Sequence, residues 1–246
     1  MQVIASYNIK GGVGKTTTAV NVAWLAANEG KRTLLWDLDP QSAAGYCLRV
    51  KSKGHGSKLL RGKSDAGDVI RSTDYENLDL LPSDFSYRHV DVLLHEDKNP
   101  LKRLQKVLKP LHDDYDVVVL DCPPGLSLLS EAMFRAADAL LVPTLPSILS
   151  LRTLKMLLDF RKENKLKDMR LFAFLTMVDR RKKLHNEVMG SRGRMRPWML
   201  ESYIPYVSEL EQLAERREPV FGYAPQGRGA EAYISLWREV QGRMAG

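Results

Sequence analysis

The chain reads as an α/β protein built on a mostly parallel β-sheet with helices on both faces. Two observations predict this. Strand-like apolar runs alternate with helical runs from one end to the other, the order that covers a parallel sheet on both sides. The first run, Gln2-Val3-Ile4-Ala5-Ser6-Tyr7-Asn8, leads at once into the glycine-rich Lys10-Gly11-Gly12-Val13-Gly14-Lys15-Thr16-Thr17 and a helix. Sheets of this kind bind ligands at the carboxyl ends of their strands.

The elements follow in order. Residues 16–29 are predicted helical, because Ala19, Val20, Ala23, Trp24 and Ala27 recur at helical spacing and Gly30 is a natural stop. A short apolar strand occupies 33–37. The stretch 51–68, rich in Lys, Gly and Ser, reads as a flexible excursion. Leu78-Asp79-Leu80-Leu81-Pro82 is a strand, 100–112 a basic amphipathic helix, and 116–121 a buried strand bounded by Pro123-Pro124. A helix at 127–137, a strand at 139–142, a helix at 148–163 and a strand at 170–178 come next. A helix near 183–190, a strand ending at Ile204-Pro205, and helices at 208–217 and 229–243 complete the pattern. No internal repeat or low-complexity tail interrupts it, so one domain over 1–246 is expected.

Composition narrows the function classes. A hydrophobic fraction of 44% with 27% charged residues is ordinary for a globular protein in water. The apolar runs are too short to span a bilayer, and a core strand already begins at residue 3, so no leader is expected. Two cysteines, Cys47 and Cys122, build neither a disulfide framework nor a zinc cluster, and a reducing cytoplasm is expected. Cys122, among apolar residues and prolines, reads as a small buried residue. The net charge of +7 favours a polyanionic partner, either nucleic acid or an anionic membrane surface.

The glycine-rich run is a phosphate cradle. Glycines let successive amides turn inward toward a polyphosphate, a lysine supplies mobile positive charge, and the next helix offers its unpaired N-terminal amides. The strict pattern G-x-x-x-x-G-K-[ST] wants glycine at position 9, where this chain has Ile9. The form present, K-G-G-x-G-K-T-T, is the deviant Walker A motif, and with it the chain resembles the ParA/MinD family of P-loop ATPases. Two further segments carry the resemblance. Leu34-Leu35-Trp36-Asp37-Leu38-Asp39-Pro40-Gln41 is similar to the family's strand ending in D-x-D-P-Q. Asp116-Val117-Val118-Val119-Leu120-Asp121-Cys122-Pro123-Pro124 is similar to its Walker B strand and following switch. The resemblance runs nearly end to end, through Pro205-Tyr206-Val207-Ser208-Glu209.

It implies an ATP hydrolase that uses Mg²⁺. Lys15 would touch the β- and γ-phosphates and Thr17 the α-phosphate, with the backbones of Gly11, Gly12, Val13 and Gly14 lining them. Thr16 would offer its hydroxyl to Mg²⁺, Asp121 would hold the ion through a water molecule, and Asp37 would support its shell. Asp39 is the family's residue for orienting the attacking water. Met177 and Pro205 are expected to border the base, which is adenine by resemblance. Lys10 matches the lysine that, in this family, reaches the partner's phosphates across a dimer interface, as an arginine finger does. ATP would then hold a sandwich homodimer together and hydrolysis would dissolve it.

Residues 180–196 carry seven basic side chains, Arg180, Arg181, Lys182, Lys183, Arg192, Arg194 and Arg196, against one acid, Glu187; Arg216 and Arg217 follow. Such clustering suits sequence-independent DNA binding, which ParA-type ATPases perform as ATP dimers. The resemblance further implies a nucleoid-associated cytoplasmic protein that positions a DNA or protein cargo with slow intrinsic turnover. Its activating adaptor would carry a basic flexible tail. Operator binding is not expected, because the loop begins at residue 10, with no helix-turn-helix before it. Three rivals stay open. A MinD-like membrane ATPase would carry an added C-terminal amphipathic helix, whereas residues 231–244 look like a packing helix. An iron–sulfur carrier would need paired cysteines. A small-molecule ligase or synthetase would need a dedicated substrate pocket.

Overall fold

The structure, a computed structural model, describes residues 1–54, 56–195 and 197–245. Eight strands form one sheet: β1 (Gln2–Ser6), β2 (Thr33–Asp37), β3 (Arg71–Ser72), β4 (Leu78–Leu81), β5 (Val117–Asp121), β6 (Ala139–Thr144), β7 (Arg170–Val178) and β8 (Met199–Pro205). Their spatial order is β3-β4-β2-β5-β1-β6-β7-β8. All neighbours are parallel except the short β3–β4 pair at one edge. Helices α1 (Lys15–Asn28), α2 (Ala43–Cys47), α3 (Gly56–Leu60), α4 (Ala66–Val69), α5 (Val90–His95), α6 (Arg103–Leu108) and α7 (Leu128–Ala136) come from the first part of the chain. The rest supplies α8 (Ile148–Glu163), α9 (Lys183–Gly190), α10 (Ser208–Glu211), α11 (Leu213–Arg216), α12 (Val220–Tyr223) and α13 (Arg228–Ala245).

Burial of both sheet faces explains the unbroken apolar runs. In β5, Val118 and Leu120 enter the core on one face with Leu104, Met133, Phe134 and Leu154, while Val117 and Val119 enter the core on the other. That second core holds Ala19, Val20 and Ala23 of α1 and Tyr233, Leu236 and Trp237 of α13. Period-two side-chain alternation thus feeds two separate cores from one strand. Helix α1 stops where expected: Gly30 takes φ +80° and its amide bonds Ala27 O at 2.9 Å.

Three expectations change, one of them the helix expected at 208–217, which divides at Gln212 into α10 and α11. The stretch 51–68 is not a loose excursion; α3 and α4 lie within it, and Leu59, Leu60 and Val69 are buried in the first core. An Asp65–Asp68 capping box starts α4. The helix expected over 100–112 is broken into a 3₁₀ turn at Pro100–Lys102, α6, and a second 3₁₀ turn at Lys109–Leu111. Pro110 inside the run removes a donor and forbids one continuous helix.

The strand order reverses at β1, which lies between β5 and β6. The loops after β1, β2 and β5 therefore open on one end of the sheet, the crevice where such folds bind ligands.

Candidate functional site

The phosphate loop joins β1 to α1. Gly12 (φ +70°) and Gly14 (φ +88°) both occupy the left-handed region, which L side chains take at a cost. Gly14 is the N-cap of α1, and no side chain caps that helix. Its first amides are left to a ligand. Ser6 Oγ donates to Lys15 O at 2.9 Å and anchors the loop to the strand. Gly125 N donates to Ile9 O at 2.9 Å and Tyr7 OH to Gly125 O at 2.8 Å, tying the loop to the turn after β5.

The two lysines divide the loop. Lys15 is buried, and its Nζ donates to the Lys10 carbonyl at 3.1 Å. Burial lowers its pKa, and the charges of Asp121 and Asp39 oppose that shift. Lys10 is half-buried, with Nζ 3.4 Å from the buried Ser150 Oγ near the start of α8. Its backbone amide donates to Asn8 Oδ1, and Asn8 Nδ2 donates to Pro143 O, which fixes the loop against β6. Gly11 and Gly12 are exposed, and a Cβ added at either meets open space within the chain.

The carboxylates differ sharply. Asp37 and Asp121 are register partners at the ends of β2 and β5, both fully buried. Asp37 accepts from the amides of Asp39, Ala44 and Gly45 at 3.1, 3.1 and 3.2 Å. Burial pushes it up to about 7 despite those bonds, and the charge of Asp39 adds to the rise. Among the described residues, neither oxygen of Asp121 has a hydrogen-bond partner. Burial and then the Asp37 carboxylate hold its pKa well above the carboxylate range, with the nearby Thr16 hydroxyl and Lys15 opposing. A buried carboxylate without a partner, beside a threonine hydroxyl and a lysine, is a donor set that fits a hard, oxygen-preferring cation such as Mg²⁺. Asp39 is half-buried; Ser83 Oγ donates to its carbonyl at 2.5 Å and its Oδ1 accepts from Gln41 N at 2.9 Å.

Beside the loop lies an apolar cavity of about 300 Å³. Gly14, Thr16 and Thr17 form one side, and Met177 and Pro205 line it together with Thr176, Tyr206, Val207, Cys47 and Leu213. A register irregularity between Leu175↔Tyr203 and Val178↔Pro205 throws Met177 out of the ladder at φ +53°, a strained backbone of the kind that clusters at binding sites. Of these, Tyr206 and Val207 lay within the quoted 205–209 segment. Thr176 and Cys47 carried no sequence signal, because only folding brings β7 and α2 to the loop. Cys122 is buried, and burial raises its thiol pKa well above the ordinary value.

The basic residues separate into held and free. Arg181 makes a two-point pair with Asp179 at 2.9 and 2.9 Å. Arg192 turns inward, bonding Met189 O and Glu201 O and lying 5.9 Å from the Tyr203 ring. Arg180, Lys182, Lys183 and Arg194 are exposed, Lys183 being 3.9 Å from Glu187. Arg196 lies outside the described residues. Arg216 and Arg217 meet Arg49 and Tyr46 near α2.

A strand–loop–helix cradle with a buried lysine, an adjacent hydroxyl and a neighbouring strand-end carboxylate defines a P-loop nucleotide-binding protein. Residues 1–171 match the family described as the AAA domain. Over 97% of its length the chain is 32% identical to the sporulation initiation inhibitor protein Soj of Bacillus subtilis (strain 168), covering 98% of that protein. It is also 32% identical over 98% of its length to the chromosome partitioning protein ParA of Myxococcus xanthus (strain DK1622), covering 88% of it. The chain belongs to the ParA/MinD family of P-loop ATPases. Among solved structures, it is similar to the cobyrinic acid a,c-diamide synthase of Mycobacterium smegmatis with bound ATP analogue and magnesium. That match has TM-score 0.82 and 26% identity, over 98% of this chain and 94% of that one. It is similar also to the septum site-determining protein MinD of Pyrococcus horikoshii OT3 complexed with Mg-ADP (TM-score 0.80, 26% identity, over 100% and 97%).

Proposed function

We propose that this chain is a ParA-type positioning ATPase. With ATP and Mg²⁺ it pairs into a sandwich dimer, binds DNA without regard to sequence, and lets go when an adaptor protein with a basic flexible tail stimulates hydrolysis. The observation that carries the reading is the division of labour between the two loop lysines. Lys15 is buried with its Nζ on the Lys10 carbonyl, whereas Lys10 is half-buried with its Nζ 3.4 Å from Ser150 Oγ. A second, half-buried cation beside two exposed glycines suits a phosphate group belonging to a second copy.

In this reading the amides of Gly11 to Lys15 bind the polyphosphate, and Lys15 neutralises charge on the β- and γ-phosphates. Mg²⁺ bound with the nucleotide supplies further neutralisation of the transferring phosphoryl group. Thr16 and Asp121 hold it, with Asp37 behind them. Asp39 orients the attacking water, its backbone fixed by Ser83 and by Asp37. The apolar cavity takes adenine between Met177 and Pro205. Arg180, Lys182, Lys183 and Arg194 offer exposed charge to phosphates, and pairing doubles that surface, so DNA affinity follows nucleotide state. Arg181, Arg192, Arg196, Arg216 and Arg217 complete the basic set.

A gel-shift titration of duplex DNA with ATP, ADP and no nucleotide, at two salt concentrations, tests the reading. A shift with ATP alone, weakening at the higher salt, is expected; binding indifferent to nucleotide overturns it. Similarity to MinD favours one alternative, a membrane-associated ATPase. Against it, Tyr233, Leu236, Trp237 and Val240 of α13 are buried in the core, so that helix packs its apolar side on the sheet. ATP-dependent sedimentation with anionic vesicles, without DNA binding, would decide for the alternative.

A further inference from the structure

Helix α2 touches both the nucleotide cavity and a group of arginines that the phosphate motifs do not explain. Its inner side gives Ala43 and Cys47 to the cavity wall, and α11 gives Leu213. Its N-terminal amides are the ones held by Asp37 Oδ2. Its outer side carries Tyr46, which is 54% exposed. Arg217, directly after α11, donates from Nε to the Tyr46 carbonyl at 3.1 Å and lays its guanidinium 4.5 Å from the centre of the Tyr46 ring. Arg49, just past α2, donates from Nη2 to the Arg216 carbonyl at 3.2 Å.

The C-terminal ends of the two helices are thus clasped by arginines from segments far apart in the sequence. Arg49 and Arg217 sit at φ +59° and +57°, the left-handed turn that ends a helix, and a non-glycine residue holds it only where its surroundings fix it. Among the described residues, none of the three arginines is ion-paired with a carboxylate. The Cys47 thiol feels both sides of the helix. Burial pushes it up to about 12, the Asp121 and Asp37 carboxylates add to the rise, and Arg217 opposes it. The phosphate-site carboxylates and the arginine cluster therefore act on one short helix.

We propose that Arg49 joins Arg216 and Arg217 in a single phosphate-backbone contact for duplex DNA, and that α2 sets the shape of this contact according to what fills the nucleotide cavity. Arginine forks match phosphate oxygens and remain charged at any working pH. The inference rests on the DNA-binding reading above and adds to it a residue outside 180–196 and a route from the cavity to the surface. Tyr46 is a positioning residue here, acting through Arg217.

The test is fluorescence anisotropy on a labelled duplex across a salt series, with magnesium and either a non-hydrolysable ATP analogue or ADP. Arg49→Ala is expected to weaken binding several-fold and to flatten the slope of log affinity against log salt by about one. Arg49→Lys recovers the slope. Tyr46→Ala is expected to shrink the gain in DNA affinity that the ATP analogue gives over ADP, and Tyr46→Phe to recover it. Binding of a fluorescent ATP analogue checks that each variant is folded. Variants of Arg49 and Tyr46 that keep the wild-type slope and nucleotide gain overturn the patch and leave the DNA-binding reading standing. A wild-type chain that binds no duplex in any nucleotide state overturns both.

Discussion

At the scale of single residues, Asp37 and Asp121 show how one level of the sheet holds two carboxylates with opposite consequences for stability. Asp37 satisfies three backbone amides, of which two open α2. Removing it leaves buried donors without partners, each worth about 1–3 kcal/mol. Asp37→Ala should therefore lower stability by about 3 kcal/mol, read in urea unfolding without nucleotide. Among the described residues neither Asp121 oxygen has a hydrogen-bond partner, and burying it carries a desolvation cost that a bound cation would offset. Asp121→Asn should unfold at the same urea concentration as wild type or a higher one, while losing magnesium-dependent ATP hydrolysis. A destabilised Asp121→Asn would mean that the carboxylate has a structural partner after all. Gly14 makes a third case. A Cβ there meets Thr176 Oγ1 at 3.7 Å and Met177 Cε at 3.9 Å, which is ordinary contact, so the cost of Gly14→Ala lies in its φ of +88°. Calorimetry should show about 1–2 kcal/mol of lost stability together with a larger loss of nucleotide affinity, as the α1 amides turn away.

Among elements, the central ones were legible in the sequence and the peripheral ones were not. Strands β2, β4 and β5 are short apolar runs buried on both faces, and helices α1, α7, α8 and α13 repeat buried apolar residues at helical spacing, so residue pattern alone marks them. The helices α2, α3, α4, α5 and α12 are six residues or shorter, too brief for helical periodicity to register, and tertiary packing stabilises them. The same limit hid β3, a two-residue antiparallel edge strand. Between β2 and β5, Arg32 and Asp116 fasten the strand starts, with Arg32 Nη2 2.7 Å from Asp116 Oδ1 and the Arg32 amide 2.9 Å from Oδ2. Arg32 beside it holds Asp116 down to about 2. A carboxylate depressed in the folded state adds stability that is fully present above its unfolded pKa of about 3.9 and is lost as pH falls through the folded value. Asp116→Asn should therefore be less stable than wild type by a constant margin from neutral pH to about 5, and the margin should shrink below that and be nearly gone by about pH 1. Thermal melts of both chains over that range measure it, and a margin that grows on acidification would reverse the sign argued here.

For the molecule as a whole, the candidate phosphate site was legible as a cluster because its residues are local, spread over three short motifs that each end a strand. Of the apolar cavity, only Met177 and Pro205 were expected, and the link from Arg49 and Tyr46 to Arg216 and Arg217 was not legible, because β7, β8, α2 and α11 bring these residues together from separate stretches. The dimer reading also belongs to this scale, and it has a consequence that no single-subunit scheme shares. If Lys10 serves the partner's pocket while Asp39 serves its own, Lys10→Ala and Asp39→Ala chains are each inactive alone, because both pockets of each homodimer lack one group. In a mixed dimer the Lys10→Ala subunit keeps Asp39 and Lys15 and receives Lys10 from the Asp39→Ala subunit, so one pocket is whole. Random pairing of equal amounts makes about half the dimers mixed, and one of two pockets in each then works, so about a quarter of the wild-type turnover should return. Were Lys10 to act within its own subunit, neither pocket of the mixed dimer would be complete and mixing would restore nothing. Steady-state ATP hydrolysis of the two variants, separately and combined at saturating ATP and magnesium, separates these outcomes. The amount recovered, unlike a simple loss of activity, cannot come from misfolding of either chain.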